Sequence, residues 1–99
     1  MIKTRKAIEE FVDAKTCHKA SRMYSEDNKL FNFETVIAQW FGDTLAINNT
    51  YYSRTTTKHQ YELLRLAKNK GISYFEVLNV PMATKDLTHL YKRKINYCG

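Results

Sequence analysis

The residues best placed to do chemistry lie in one short run, Arg54-Thr55-Thr56-Thr57-Lys58-His59. If a helix opens here, its free backbone N–H groups, three hydroxyls and two cations are the ingredients of a phosphate-binding site. The plainer reading is that the threonines cap the helix and Lys58 is solvated. A catalytic His59 would also need a nucleophile or a carboxylate partner, and none is linked to it by a motif. The other histidines, His18 and His89, have no partner at metal-ligand spacing, and no Cys/His group has zinc spacing. The chain carries no P-loop, no dinucleotide glycine fingerprint, no Gly-x-Ser-x-Gly and no His-Glu-x-x-His. Binding is therefore expected rather than catalysis, with no cofactor and no metal.

The charge pattern points the same way. The net charge is +6 over 99 residues. Residues 55–99 carry eight Lys/Arg against three Asp/Glu, whereas residues 31–54 hold Arg54 against Glu34 and Asp43. Arg65, Lys68 and Lys70 extend the run that begins at Arg54, and Lys92, Arg93 and Lys94 form a second basic patch. Such a surface attracts DNA, RNA, a nucleoprotein or an acidic protein face, and it cannot mimic the charge of DNA. Aromatic residues concentrate elsewhere, with Phe31, Phe33, Trp40, Phe41, Tyr51 and Tyr52 on an expected hairpin. Rings on a sheet can stack bases, but a domain this small needs most of them for its core.

The elements that would hold these groups can be read from periodicity. Residues 4–14 predict a helix with Ile8, Phe11 and Val12 on one stripe. Residues 15–24 fit either a helical turn or an entering strand, and Ser25-Glu26-Asp27-Asn28 reads as a turn. A strand over 30–41 places Phe31, Phe33, Thr35 and Ile37 on one face, with Asn32, Glu34 and Val36 on the other. Gly42-Asp43 turns it into a second strand over 44–53. A helix over 57–70 follows, with Thr57 as N-cap, Gln60 reaching back in a capping box, and Gly71 as terminator. A strand over 72–80, stopped by Pro81, and a helix over 84–94 complete the chain. The expected fold is one α+β domain over 1–99, two-layered, with three mostly antiparallel strands and three helices.

No apolar run approaches the ~20 residues of a membrane span. Acidic Glu9, Glu10 and Asp13 fall where the apolar part of a secretory signal would lie, so none is expected. Without export, Cys17 and Cys98 are read as two free thiols. Nothing in the sequence decides between monomer and homodimer.

The run Tyr52-Ser53-Arg54-Thr55-Thr56-Thr57-Lys58-His59-Gln60 follows a Phe31-Asn32-Phe33-Glu34-Thr35-Val36-Ile37-Ala38 strand. It resembles a Tyr-Ser-x-Thr-Thr-x-Lys-His-Gln motif of small uncharacterised bacteriophage proteins, over roughly residues 30–67. The resemblance implies a phage origin, the cytoplasm of an infected bacterium, and action by binding host machinery such as a defence nuclease. It carries over no catalytic residue. The leading expectation is a non-enzymatic accessory protein that binds and modulates a host protein or nucleoprotein complex, in an anti-CRISPR-like role. Direct nucleic-acid binding through a basic helix is the second reading, and a small phosphate-handling enzyme centred on His59 is the third.

Overall fold

A computed structural model describes residues 3–88 and 97–98. Its elements are α1 (Thr4–Ala14), β1 (Met23–Glu26), β2 (Lys29–Asn32), β3 (Thr35–Phe41), β4 (Thr44–Asn48), α2 (Arg54–Asn69) and β5 (Tyr74–Val77). A two-residue strand, β6 (Tyr97–Cys98), pairs beside β5. The strands lie in sequence order in one sheet, and every pair is antiparallel except β4–β5. The α+β class holds, but the sheet is mixed, with five strands and this short sixth in place of three. The parallel pair follows from α2, which carries the chain back across the sheet so that β5 runs in the direction of β4.

Both faces of the sheet are covered. Ile8 and Phe11 of α1 and Leu63, Leu66 and Ala67 of α2 pack on Leu30, Ile37, Leu45, Ile47 and Tyr74. Neighbouring positions point the opposite way, so Phe31, Val36, Ala46, Phe75 and Val77 form a second cluster. Val80 and Leu87, from the segment after β5, close that cluster. Residues 84–88 are not helical, and 89–94 of the expected last helix lie outside the described residues. Among the described residues, no helix is long and apolar enough to cross a membrane.

The strand expected over 30–41 is in fact two strands joined by a turn at Phe33-Glu34. Phe33 takes a left-handed φ of 61° and is 55% exposed, instead of pointing into the core. Such a backbone costs a bulky residue about 1–2 kcal/mol. It is held by a hydrogen bond from its N–H to the Arg22 carbonyl at 2.8 Å. The register then slips by one residue, because Leu30 faces Ala38 whereas Phe31 faces Val36. This bulge puts Ile37 and Ala38 into the helix-side cluster together, and the predicted alternation fails there. The neighbouring turns use residues suited to them. Asp27 and Asn28 have φ of 51° and 67°, and Gly42 has 63°. Ser25 and Glu26 belong to β1, which settles the ambiguous 15–24 segment as loop followed by strand.

α2 begins three residues earlier than expected. Ser53, not Thr57, is the N-cap, and its hydroxyl accepts the Thr56 N–H at 3.2 Å. Gln60 does not reach back in a capping box. It is buried and donates through Nε2 to the carbonyls of Asn48 and Thr50, each at 2.7 Å. The other end follows expectation. Gly71 has φ of 67°, and the N–H groups of Gly71 and Ile72 bond the Lys68 and Ala67 carbonyls in a Schellman closure.

Asn48, fully buried at the end of β4, extends the Gln60 contacts into a network. Its Nδ2 donates to the Val36 carbonyl and to the Tyr52 hydroxyl, both at 2.9 Å. The Tyr52 hydroxyl in turn donates to the Val80 carbonyl at 2.6 Å. Among the described residues no buried side-chain polar atom lacks a partner. Gln60→Ala removes one donor group from two carbonyls, and each buried acceptor left unmet costs about 1–3 kcal/mol. Urea unfolding of this variant should show a loss of about 2–4 kcal/mol with an unchanged m value. A loss under about 1 kcal/mol would show that the bridge is dispensable.

Candidate functional site

The expected phosphate cradle is divided between the inside and the outside of the molecule. Thr56 is buried, and its hydroxyl accepts from Asn32 Nδ2 at 3.0 Å and from the Ser53 hydroxyl at 3.1 Å. Thr57 turns its hydroxyl back to the Ser53 carbonyl at 2.8 Å. Both hydroxyls serve the helix start. His59 is half-buried, and burial lowers its pKa, so the ring is neutral near pH 7. Arg54, Thr55 and Lys58 stay exposed.

At 100° per residue, Arg54, Lys58, Tyr61, Arg65 and Lys68 fall on one outward stripe of α2. From first to last it runs about 21 Å at 1.5 Å per residue. Tyr61 stands in the middle, 66% exposed, beside a shallow recess of 110 Å³ formed with Leu64, Arg65, Lys68 and Asn69. Lys70 leaves this stripe and pairs with Asp13 of α1 at 3.0 Å. Lys92, Arg93 and Lys94 lie outside the described residues.

Arg65 is the least free of the stripe's cations. Its guanidinium grips the Glu62 carboxylate, with Nε to Oε1 at 3.2 Å, and Arg5 of α1 reaches the same group at 3.3 Å. Glu62 is thereby the joint between the two helices. The Arg65 hydrogen bonds hold its pKa below the ordinary carboxylate range, against a smaller opposing effect of burial.

Two further clusters were not legible as sites. Glu10 accepts the His18 backbone N–H at 2.9 Å and meets His18 Nδ1 at 3.1 Å. These bonds, the backbone one foremost, lower the Glu10 pKa. With Asp13, Thr16 and Cys17 they line a hollow of 430 Å³. Burial raises the Cys17 thiol, which keeps it protonated and weakly nucleophilic. Among the described residues no group of three or more His, Cys, Asp or Glu could hold a metal ion. The cluster reads as an anchor for the loop after α1.

The second cluster is apolar. Phe33 and Met82, 55% and 71% exposed, stand together between two hollows, and the Arg22 guanidinium lies 5.6 Å from the Phe33 ring centre. The aromatic alternation assigned Phe33 to a strand interior and so concealed it. The one signal for Met82 was the adjacent Pro81, the only proline in the chain.

The architecture is an α+β domain with helices on one face of a mixed sheet and an irregular segment on the other. The family of unknown function DUF8033 matches residues 3–78, from α1 through β5, and the chain belongs to that family. No curated protein and no solved structure matches it.

The Glu62 joint has a defined pH signature. A carboxyl whose folded pKa lies below its unfolded value, about 4.3, contributes fully above that value. The contribution is lost as pH falls through the folded pKa. Thermal melts from neutral pH down into the acid range should therefore fall more steeply for the wild type than for Glu62→Gln. Parallel curves would show that the joint carries no proton linkage.

Proposed function

We propose that the protein is a non-enzymatic binding domain whose α2 stripe docks on a macromolecular complex bearing negative charge. The observation that carries this reading is the alignment of exposed Arg54, Lys58 and Lys68 with Tyr61 on one face of α2, where Arg65 stands between them but is held by Glu62. Sequestration of the Thr56 hydroxyl by Asn32 and Ser53 supports binding over chemistry at the helix start. In its concrete form the reading is a phage accessory protein acting in the bacterial cytoplasm. It would modulate or inhibit a host nucleoprotein complex, such as a nucleic-acid-directed defence nuclease.

Pull-down from a bacterial host lysate, with and without nuclease treatment, tests it against an Arg54→Glu/Lys58→Glu/Lys68→Glu variant. The wild type should retain a specific protein partner after nuclease treatment, and the triple variant should lose at least about tenfold of the capture, as expected for reversed charges at an interface. Equal capture by both would remove the stripe from the interface. Direct nucleic-acid binding is the second reading, favoured by the same linear stripe. It requires affinity for bare DNA or RNA that falls with log salt at a slope of about −3 for three or four phosphate contacts. His59→Ala should leave the biological effect intact, and loss of that effect in a folded variant would revive the phosphate-handling reading.

A further inference from the structure

The Phe33–Met82 ridge is a second surface, and its construction differs from that of the α2 stripe. A bulky residue is held with a left-handed backbone in order to stand outside the fold. Strain of this kind persists only where the surroundings over-determine it. Here the Arg22 carbonyl takes the Phe33 N–H, and the two loops that carry the ridge are tied together. Ala83 donates its N–H to Thr35 Oγ1 at 2.8 Å, Val36 donates to the Thr84 carbonyl at 2.9 Å, and Lys85 Nζ reaches the Glu34 carbonyl at 2.8 Å. The backbone beneath the ridge is therefore braced by bonds between its two loops, which lowers the cost of ordering it when a ligand binds.

Hollows flank it on both sides. One, of 550 Å³, is bordered by Lys19 and Arg22, and the other, of 300 Å³, by Ser53 and Thr56 at the positive end of the α2 dipole. Among the described residues Glu34 is the only acidic one on either rim, and Lys85 Nζ lies 3.9 Å from its carboxylate. Neither Lys19 nor Arg22 is ion-paired with a described residue. The rim is thus positive around an apolar centre.

We propose that this ridge docks an acidic protein segment, with an apolar side chain seated against Phe33 and Met82 and carboxylates facing Lys19 and Arg22. Exposed aromatic, Met and Arg side chains at a pocketed centre are the composition of interface hot spots. A stacked nucleobase is the competing occupant of the exposed Phe33 ring. The proposal is independent of the α2 stripe.

A random-peptide display selection on the full chain tests it, followed by affinity measurement of the enriched peptides. The enriched sequences should carry one large apolar residue flanked by Asp or Glu. Phe33→Gly should weaken them by at least about tenfold, as hot-spot truncation does. Its thermal midpoint should be no lower than that of the wild type, because glycine accepts this φ without strain. Met82→Ser gives a second reading, with a loss of at least about threefold for a contact on the same ridge. Lys58→Glu/Lys68→Glu should bind the peptides as the wild type does. Failure to enrich any sequence, enriched peptides without acidic residues, or equal binding by Phe33→Gly and Met82→Ser would overturn the proposal. So would a dT oligonucleotide that shifts the Phe33 and Met82 resonances where the peptides do not.

Discussion

The fold turns on two buried amides, Asn48 and Gln60. Asn48 ends β4 and Gln60 sits nearly two turns inside α2, so together they fix the angle at which the chain leaves the sheet and enters the helix. Through the Tyr52 hydroxyl the same network reaches Val80, and Thr50 Oγ1 accepts the Val80 N–H at 2.9 Å. The start of α2, the end of β4 and the segment after β5 are therefore tied at one point. Buried amides tolerate no missing partner in a low-dielectric interior. Such a network permits few other arrangements of the three segments it joins.

Other polar side chains complete the frame. Trp40 donates its indole N–H to the Phe11 carbonyl at 3.1 Å, which seats the end of α1 on the sheet, and Lys15 lies over the Trp40 ring. On the second face, Gln39 holds the covering segment, accepting the Leu87 N–H at 2.7 Å and donating to Asp86 at 3.1 Å. The outer edge of β1 is bordered by the loop before it. Ser25 Oγ takes the Cys17 N–H at 2.9 Å, and Ala20 and Met23 exchange backbone bonds at 2.9 Å. That loop covers the Met23 end of the edge strand and so shortens the edge open to edge-to-edge pairing.

Legibility varied from element to element for physical reasons. α1 was readable to the residue because Ile8, Phe11 and Val12 repeat at helical spacing. Gly71 was readable because a positive φ after the last turn suits glycine above all others. The strand run was misread where Phe33 took a backbone conformation that its side chain disfavours, and where the bulge reversed the alternation. Gln60 was misread as a surface capping residue because a local motif cannot report that Asn48 and Thr50 lie above it. The basic residues of the candidate surface were visible as types, but their division into a stripe (Arg54, Lys58, Lys68), a helix joint (Arg65) and an interhelical pair (Lys70) was not.

By itself, the sequence determined the α+β class, the two long helices, the basic second half, the tight turn at Gly42-Asp43 and a turn within Ser25–Asn28 whose bounds it set too wide. Those properties depend on residues close together in the chain, where spacing and backbone preference act without help from distant partners. Tertiary structure alone decided the parallel pairing of β5, the interior role of Thr56 and Gln60, and the outward stance of Phe33 beside Met82. Each of these depends on contacts between segments far apart in sequence. Their energy is set by burial and by the pairing of polar groups in the interior, and neither is encoded in local spacing.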